Sequence, residues 1–280
     1  MSLRAWDQPI LATIRGVESL ILKLVLTPAL IGAASLAGRR WGAAVGGWLV
    51  GIPLTSAPIA LFLALDHGPS FAASASVGML LGTISQAIFC LAYSFSASRG
   101  VRWLASFGSG CVGFVASTVV LHLLGSVPLM AASLATLMAL VVVLLLVPRT
   151  PEKSDESASS ATSLPRWDIP ARMVVATVFV VLLTAIAPVL GPYLSGLLSP
   201  FPLFGAVLVV FVHRSEGATP AMKLLKGLLL GLFAPAGFFM ALCALIEPLG
   251  IGLGFAAASA TALVAQGLTL RVLRPGTLSG

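Results

Sequence analysis

The sequence predicts an all-α fold: a polytopic membrane helix bundle of about nine transmembrane helices, arranged as two inverted four-helix repeats joined by one extra helix. Three observations lead there. The composition is too apolar for a soluble domain, the apolar residues fall into runs long enough to cross a bilayer, and the second half of the chain echoes the first after an odd number of crossings.

Of 280 residues, 58% are hydrophobic and 9% are charged, and the mean hydropathy is +1.06. Soluble globular domains carry about 25% charged residues. The excess of 16 Lys and Arg over 9 acids would suit a nucleic-acid partner if it formed a stripe. The basic residues instead stand singly or in pairs between apolar runs, which points to membrane topology and excludes nucleic acid. Cys90, Cys111 and Cys243 lie alone in apolar segments, without the spacing of a metal or redox motif. They read as small packing residues.

A helix needs about 20 predominantly apolar residues to cross the hydrocarbon core. The runs that qualify are 20–37, 43–65, 71–97, 103–125, 127–147, 171–190, 193–212, 222–246 and 249–271. The segment 148–170, "PRTPEKSDESASSATSLPRWDIP", is too rich in Ser, Pro and charge to bury a core and reads as a cytoplasmic linker. The chain therefore divides into an extracytoplasmic tail 1–19, a first repeat 20–125, a connecting helix 126–147, the linker 148–170, a second repeat 171–273 and a cytoplasmic tail 274–280. With this count, Arg4, Arg15 and Lys23 fall on one face and the other thirteen of the sixteen Lys and Arg on the opposite one. The positive-inside rule then sets the amino terminus outside and the carboxyl terminus inside. Short loops and a composition rich in Ala, Gly, Leu and Arg suit a bacterial cytoplasmic membrane. Trp41, Trp103 and Trp167 fall near expected interfaces as aromatic anchors.

The repeat shows in "WLVGIP" from Trp48 and "YLSGLL" from Tyr193, an offset of 145. Beyond the next loop, Gly68, Gly78 and Gly82 match Gly217, Gly227 and Gly231 at an offset of 149. The first through fourth helices thus pair with the sixth through ninth, and 127–147 is left over. Five crossings separate equivalent positions, so the second unit is expected upside down relative to the first, the plan of many secondary transporters.

Interrupted helices at corresponding positions of such repeats mark the binding site. Pro53 and Pro58 in the second helix and Pro200 and Pro202 in the seventh are the candidates, with Thr55, Ser56 and Ser199 available to satisfy the freed backbone groups. Gln86 and Gln266 are the most deeply placed amides and complete the expected substrate site. Asp66, His67, His122 and Glu247 map to the outer ends of helices two, four and eight and are candidates for proton or ion coupling. Half-helix amino termini at the midplane would favour an anionic group. The letters "GSGCVG", Gly108 to Gly113, lie inside an apolar helix with no preceding strand, so they are not a dinucleotide fingerprint. The pairs Gly47/Gly51, Gly78/Gly82 and Gly227/Gly231 are helix-packing spacings.

At "GLLSPFPLF" and "HRSEG" the second unit, Ala171 to Leu273, resembles the GlpM-like family of small four-helix bacterial inner-membrane proteins. The resemblance implies a membrane location and a four-helix unit, and brings no catalytic or binding residues with it. The four-plus-one-plus-four plan is similar to the drug/metabolite transporters in architecture. The expected function is a secondary transporter or exporter of a small solute, anionic or lipid-linked, bound near the midplane between the repeats. The alternatives are a membrane scaffold or assembly subunit, or an intramembrane enzyme acting on a lipid through His67, His122 or Asp66. No catalytic residue, metal site or cofactor is expected. The expected partners are membrane lipids, an unnamed small molecule and further copies of the chain.

Overall fold

The computed structural model describes residues 18–33, 36, 53, 55–148 and 168–273. The expected amino-terminal tail up to residue 17, most of the linker and the final tail lie outside these residues, as do Trp41, Gly47, Gly51 and Trp167. Every regular element described is a helix: α1 over 18–33, α2 Ser56–His67, α3 Pro69–Ser98, α4 Trp103–Leu124, α5 Leu129–Leu146, α6 Asp168–Leu198, α7 Leu203–Glu216, α8 Ala218–Gly231 and α9 Phe233–Leu273.

Among the described residues five helices are long and apolar enough to cross a membrane: Pro69–Ser98, Trp103–Leu124, Leu129–Leu146, Met173–Leu198 and Ala218–Thr269. They do not match the nine expected runs one for one, and the reasons are local. The run 193–212 is no continuous helix, because α6 ends at Leu198 and α7 begins at Leu203. The run 43–65 contributes α2, whose 12 residues extend only about 18 Å. The runs 171–190 and 193–212 meet inside α6 at Gly191 (φ 75°, ψ 167°). The runs 222–246 and 249–271 meet inside α9 at Gly250 (φ 74°, ψ 175°). Helix α6 also begins at Asp168 and so takes in the last three residues of the expected linker.

The joints on either side of the short helices are alike. Gly68 (φ 91°, ψ 169°) separates α2 from α3, and Gly217 (φ 97°, ψ −175°) separates α7 from α8, 149 positions later. That region of backbone space is closed to residues with a Cβ, so only glycine makes this turn without strain. After Gly68 comes Pro69, whose missing N–H costs nothing at the first helical position.

Helix α3 is the centre of the bundle, packed against α2, α4, α5, α6, α8 and α9. Its small residues let backbones touch. A Cβ on Gly78 would collide with the Tyr193 carbonyl oxygen, one on Gly196 with that of Ala75, and one on Gly82 would come within 2.6 Å of that of Leu197. In lipid, helices gain little from the hydrophobic effect against one another, so this close van der Waals fit and polar bonds between helices carry the association. The Thr136 hydroxyl donates to Leu80 O at 3.1 Å and ties α5 to α3; the Tyr193 hydroxyl donates to Leu121 O at 3.0 Å and ties α6 to α4. Large apolar side chains such as Val112, Leu123, Leu145 and Val189 point outward, as a lipid-facing surface requires.

Candidate functional site: a cavity between two helix breaks

The second break is built by its prolines. Pro200 and Pro202 cannot donate to Gly196 O and Leu198 O, and the chain compensates locally. The Ser199 N–H is shared between Ser195 O and Gly196 O at 3.2 Å each, and Phe201 N–H bonds Leu198 O at 3.1 Å. Pro202 (φ −78°, ψ 51°) then forms an inverse γ-turn closed by Leu203 N–H to Phe201 O at 2.8 Å. Leu197 O and Ser199 O lose their usual donors, since Phe201 and Leu203 spend theirs elsewhere. Helix α7 starts with Ala206 N–H on Pro202 O, 2.6 Å. At the start of α2, Ala57 N–H bonds Pro53 O at 2.8 Å, the same bond 149 positions earlier; the expected break before it lies outside the described residues.

Phe201 fixes the break in place. Its ring meets Phe114 edge-on at 5.1 Å between centroids, and Phe89 and Phe179 at 6.3 and 6.4 Å, so it is held by α3, α4 and α6 together.

Between the breaks lies a cavity of about 40 Å³, lined by Pro53, Thr55, Ser56 and Gln86 from the first half and by 200–205, Leu228, Leu232 and Pro235 from the second. By volume it has room for roughly two or three water molecules. Lining positions recur at the same offset: Pro53 with Pro202, Thr55 with Phe204, Ser56 with Gly205, and Gln86 with Pro235, each pair 149 apart. Among the described residues, none that lines the cavity carries a carboxylate or a basic group.

Six of the nine expected substrate-site residues line this cavity: Pro53, Thr55, Ser56, Gln86, Pro200 and Pro202. Pro58 does not; it sits in the first turn of α2, buried, where proline starts a helix more than it breaks one. Ser199 lies beside the cavity, fully buried, and its hydroxyl has no hydrogen-bond partner among the described residues. Gln266 is buried in the last part of α9, outside the lining. Sequence reasoning missed Phe204, Gly205 and Pro235, although applying the 149-residue offset to Thr55, Ser56 and Gln86 points to each.

The expected coupling residues do not gather into one vestibule. Asp66 forms a compact set with α1, accepting from Lys23 Nζ and Ser19 Oγ at 2.6 Å each, with the ammonium 5.5 Å from the Phe62 ring centroid. The Lys23 side chain is only 10% exposed and that of Asp66 22%. His67 packs on Phe71 at 4.6 Å, His122 stacks on Tyr193 at 6.4 Å, and Glu247 is exposed on α9. No group of three or more His, Cys, Asp or Glu suited to a metal occurs among the described residues.

A second polar contact, not anticipated from sequence, joins α3 to α7: the Tyr93 hydroxyl and His213 Nδ1 are 3.0 Å apart, with Tyr93 fully buried. Along α3 the cavity residue Gln86 lies between this contact and the Asp66 end, with Tyr93 about 10 Å beyond it.

No family model, curated protein or solved structure matches the chain.

Proposed function

We propose that the protein is a secondary transporter of a small solute, built from two inverted repeats and binding its solute in the cavity between the helix breaks. One observation carries the reading: the cavity is lined from both halves by residues 149 apart, and the backbone bond that starts α2 recurs at that same spacing at the start of α7. A kink that served packing alone would not need to be duplicated, nor would the two copies need to face one space. Interrupted helices at a repeat interface are where such transporters bind.

On this reading the chain crosses the membrane nine times. The first crossing contains α1, the second is broken before α2, and α3, α4 and α5 are the third to fifth. The sixth is α6 as far as Gly191, and the seventh is the broken pair 192–198 and α7. The eighth and ninth are separated by Gly250. Helix α5 is the unpaired one, and it turns the second repeat over. The partition of thirteen basic residues against three supports an outer amino terminus in a bacterial cytoplasmic membrane. The GlpM-like likeness of 171–273 enters only as a four-helix unit.

The glycine seam between α3 and 193–197 favours a second reading, a rigid scaffold, because it packs the two backbones against each other without intervening side chains at Gly78 and Gly196. Reconstitution separates the two. Replacing Pro200 and Pro202 together with Ala restores helix donors; we expect equal or higher thermal stability and loss of solute counterflow in vesicles. Full counterflow in that variant would remove the break from the mechanism, and no counterflow of any solute by the wild type would leave the scaffold.

A further inference from the structure

We infer that one end of the bundle is a docking surface for an anionic phospholipid, whose headgroup meets Arg99, Arg102 and Arg214 around Trp103, a role independent of the transport reading. The frame is the connection between α3 and α4. Helix α3 ends at Ser98 in a Schellman closure: Gly100 N–H bonds Ala97 O at 3.0 Å and Val101 N–H returns to Ser96 O at 3.2 Å. Gly100 (φ 75°) supplies the positive-φ residue that this closure needs. Arg99 N–H also bonds Ser96 O at 3.2 Å, and α4 starts at Trp103 with Arg102 directly before it. Arg99 and Arg102 therefore stand on a stiff connection, 99–102. The third cation comes from the last turn of α7, where the Arg214 guanidinium lies 5.9 Å from the centre of the Trp103 ring and brings that turn against the start of α4.

Two of the three guanidinium groups are ordered by aromatic rings rather than by acids. Arg99 lies 5.7 Å from the centre of the Phe95 ring, one turn back on α3, as Arg214 does over Trp103. A guanidinium drawn to a ring keeps its N–H donors free at its own edges, in the geometry that suits phosphate oxygens. All three arginines are exposed, and none forms an ion pair with a carboxylate of the described residues. Against them the last turn of α7 sets one acid, Glu216. The neighbouring surface makes the occupant a lipid. Phe95 is 37% exposed, and Leu104, directly after Trp103, is 63% exposed and begins the outward apolar face of α4. The cations thus stand where lipid-facing side chains give way to the headgroup layer, at the depth that Trp favours. A phospholipid satisfies both parts, with phosphate on the arginine edges and acyl chain along the apolar side chains, whereas a dissolved anion satisfies only the first. Charge selects the headgroup, because a zwitterionic one would bring its own ammonium toward the arginines.

The purified full-length chain in a neutral detergent is titrated with phosphatidylglycerol, phosphatidylcholine or inorganic phosphate while its melting temperature is followed. We expect a saturable rise with phosphatidylglycerol alone, one that shrinks as salt is raised. Arg102→Gln and Arg214→Gln should each weaken the midpoint by about threefold and together by about tenfold, a modest loss because the arginines are exposed. Lys226→Gln removes one charge from the exposed side of α8 and should leave the midpoint unchanged. Replacing Arg102 and Arg214 with Lys keeps the charge and loses the flat donor edge, so that variant should fall between wild type and the double Gln variant, and it serves if the latter does not fold. Four results would each overturn the docking surface. They are phosphatidylcholine stabilising as well as phosphatidylglycerol, inorganic phosphate reproducing the rise, Lys226→Gln weakening the midpoint as much as Arg214→Gln, and the arginine variants responding like the wild type.

Discussion

At the scale of single residues, the Lys23–Asp66 pair shows how a chain with so few charges places them. Both side chains are largely covered, so each ion relies on the other and on Ser19 for what water would supply. Removing one partner of such a pair strands the other. Lys23→Met or Asp66→Asn is expected to cost about 2–4 kcal/mol, toward the low side of the range for buried pairs because Asp66 keeps some water. The double replacement Lys23→Met with Asp66→Leu should recover much of that loss, which thermal melts of the three variants will measure; equal losses in all three would show that the pair acts through packing alone. Glycine positions divide just as sharply. Gly78→Ala and Gly196→Ala force a Cβ onto backbone carbonyl oxygens and should prevent folding, whereas Gly227, with open space around it, should accept Ala with little change in yield or melting temperature.

At the scale of elements, the broken seventh helix depends on Phe201. Its half-buried ring meets α3, α4 and α6 at once, so Phe201→Ala should lower stability by about 2–3 kcal/mol and loosen the break before any other part of α7. Hydrogen exchange at 203–206 that stays as slow as in the wild type would contradict this. The break at Pro200 and Pro202 was legible in the sequence because proline removes a donor wherever it sits, and Gly68 and Gly217, 149 apart, both form positive-φ joints where glycine has no substitute. What the sequence did not reveal has an equally local cause. Pro58 looks the same as Pro53 on paper, but its effect depends on whether it falls before a helix or in its first turn. Likewise the expected runs that meet at Gly191 and Gly250 are merged into longer elements, since a single positive-φ residue redirects a helix without a polar loop to announce it. The Tyr93–His213 contact joins residues 120 apart, and nothing in local pattern predicts it.

At the scale of the whole molecule, the proposed inverted arrangement predicts topology. A cysteine probe at position 67 should react with an impermeant reagent in intact cells, and one at position 157 should react only after the membrane is opened. The reverse result would turn the molecule over. In the proposed arrangement, deleting 129–146, the unpaired α5, leaves an even number of crossings between the halves, and the second unit should then insert parallel to the first or be degraded. A reporter fused after Gly217 would read which.

The seam along α3 has a mechanical consequence. Where Gly78 and Gly82 press on the backbone of 193–197, there are no side chains to change rotamer and so no give between the two surfaces. Sliding would drive carbonyl oxygens into main chain, so α3 and the segment 192–198 must travel as one stiff beam. Motion has to be taken up where the chain bends, at Gly68, Gly191 and Gly217, which leaves α2 and α7 as two short arms swinging from a common shaft. Spin labels at one end of α3 and on 192–198 should keep their separation in every state of the protein, while labels on α2 and α7 record the stroke.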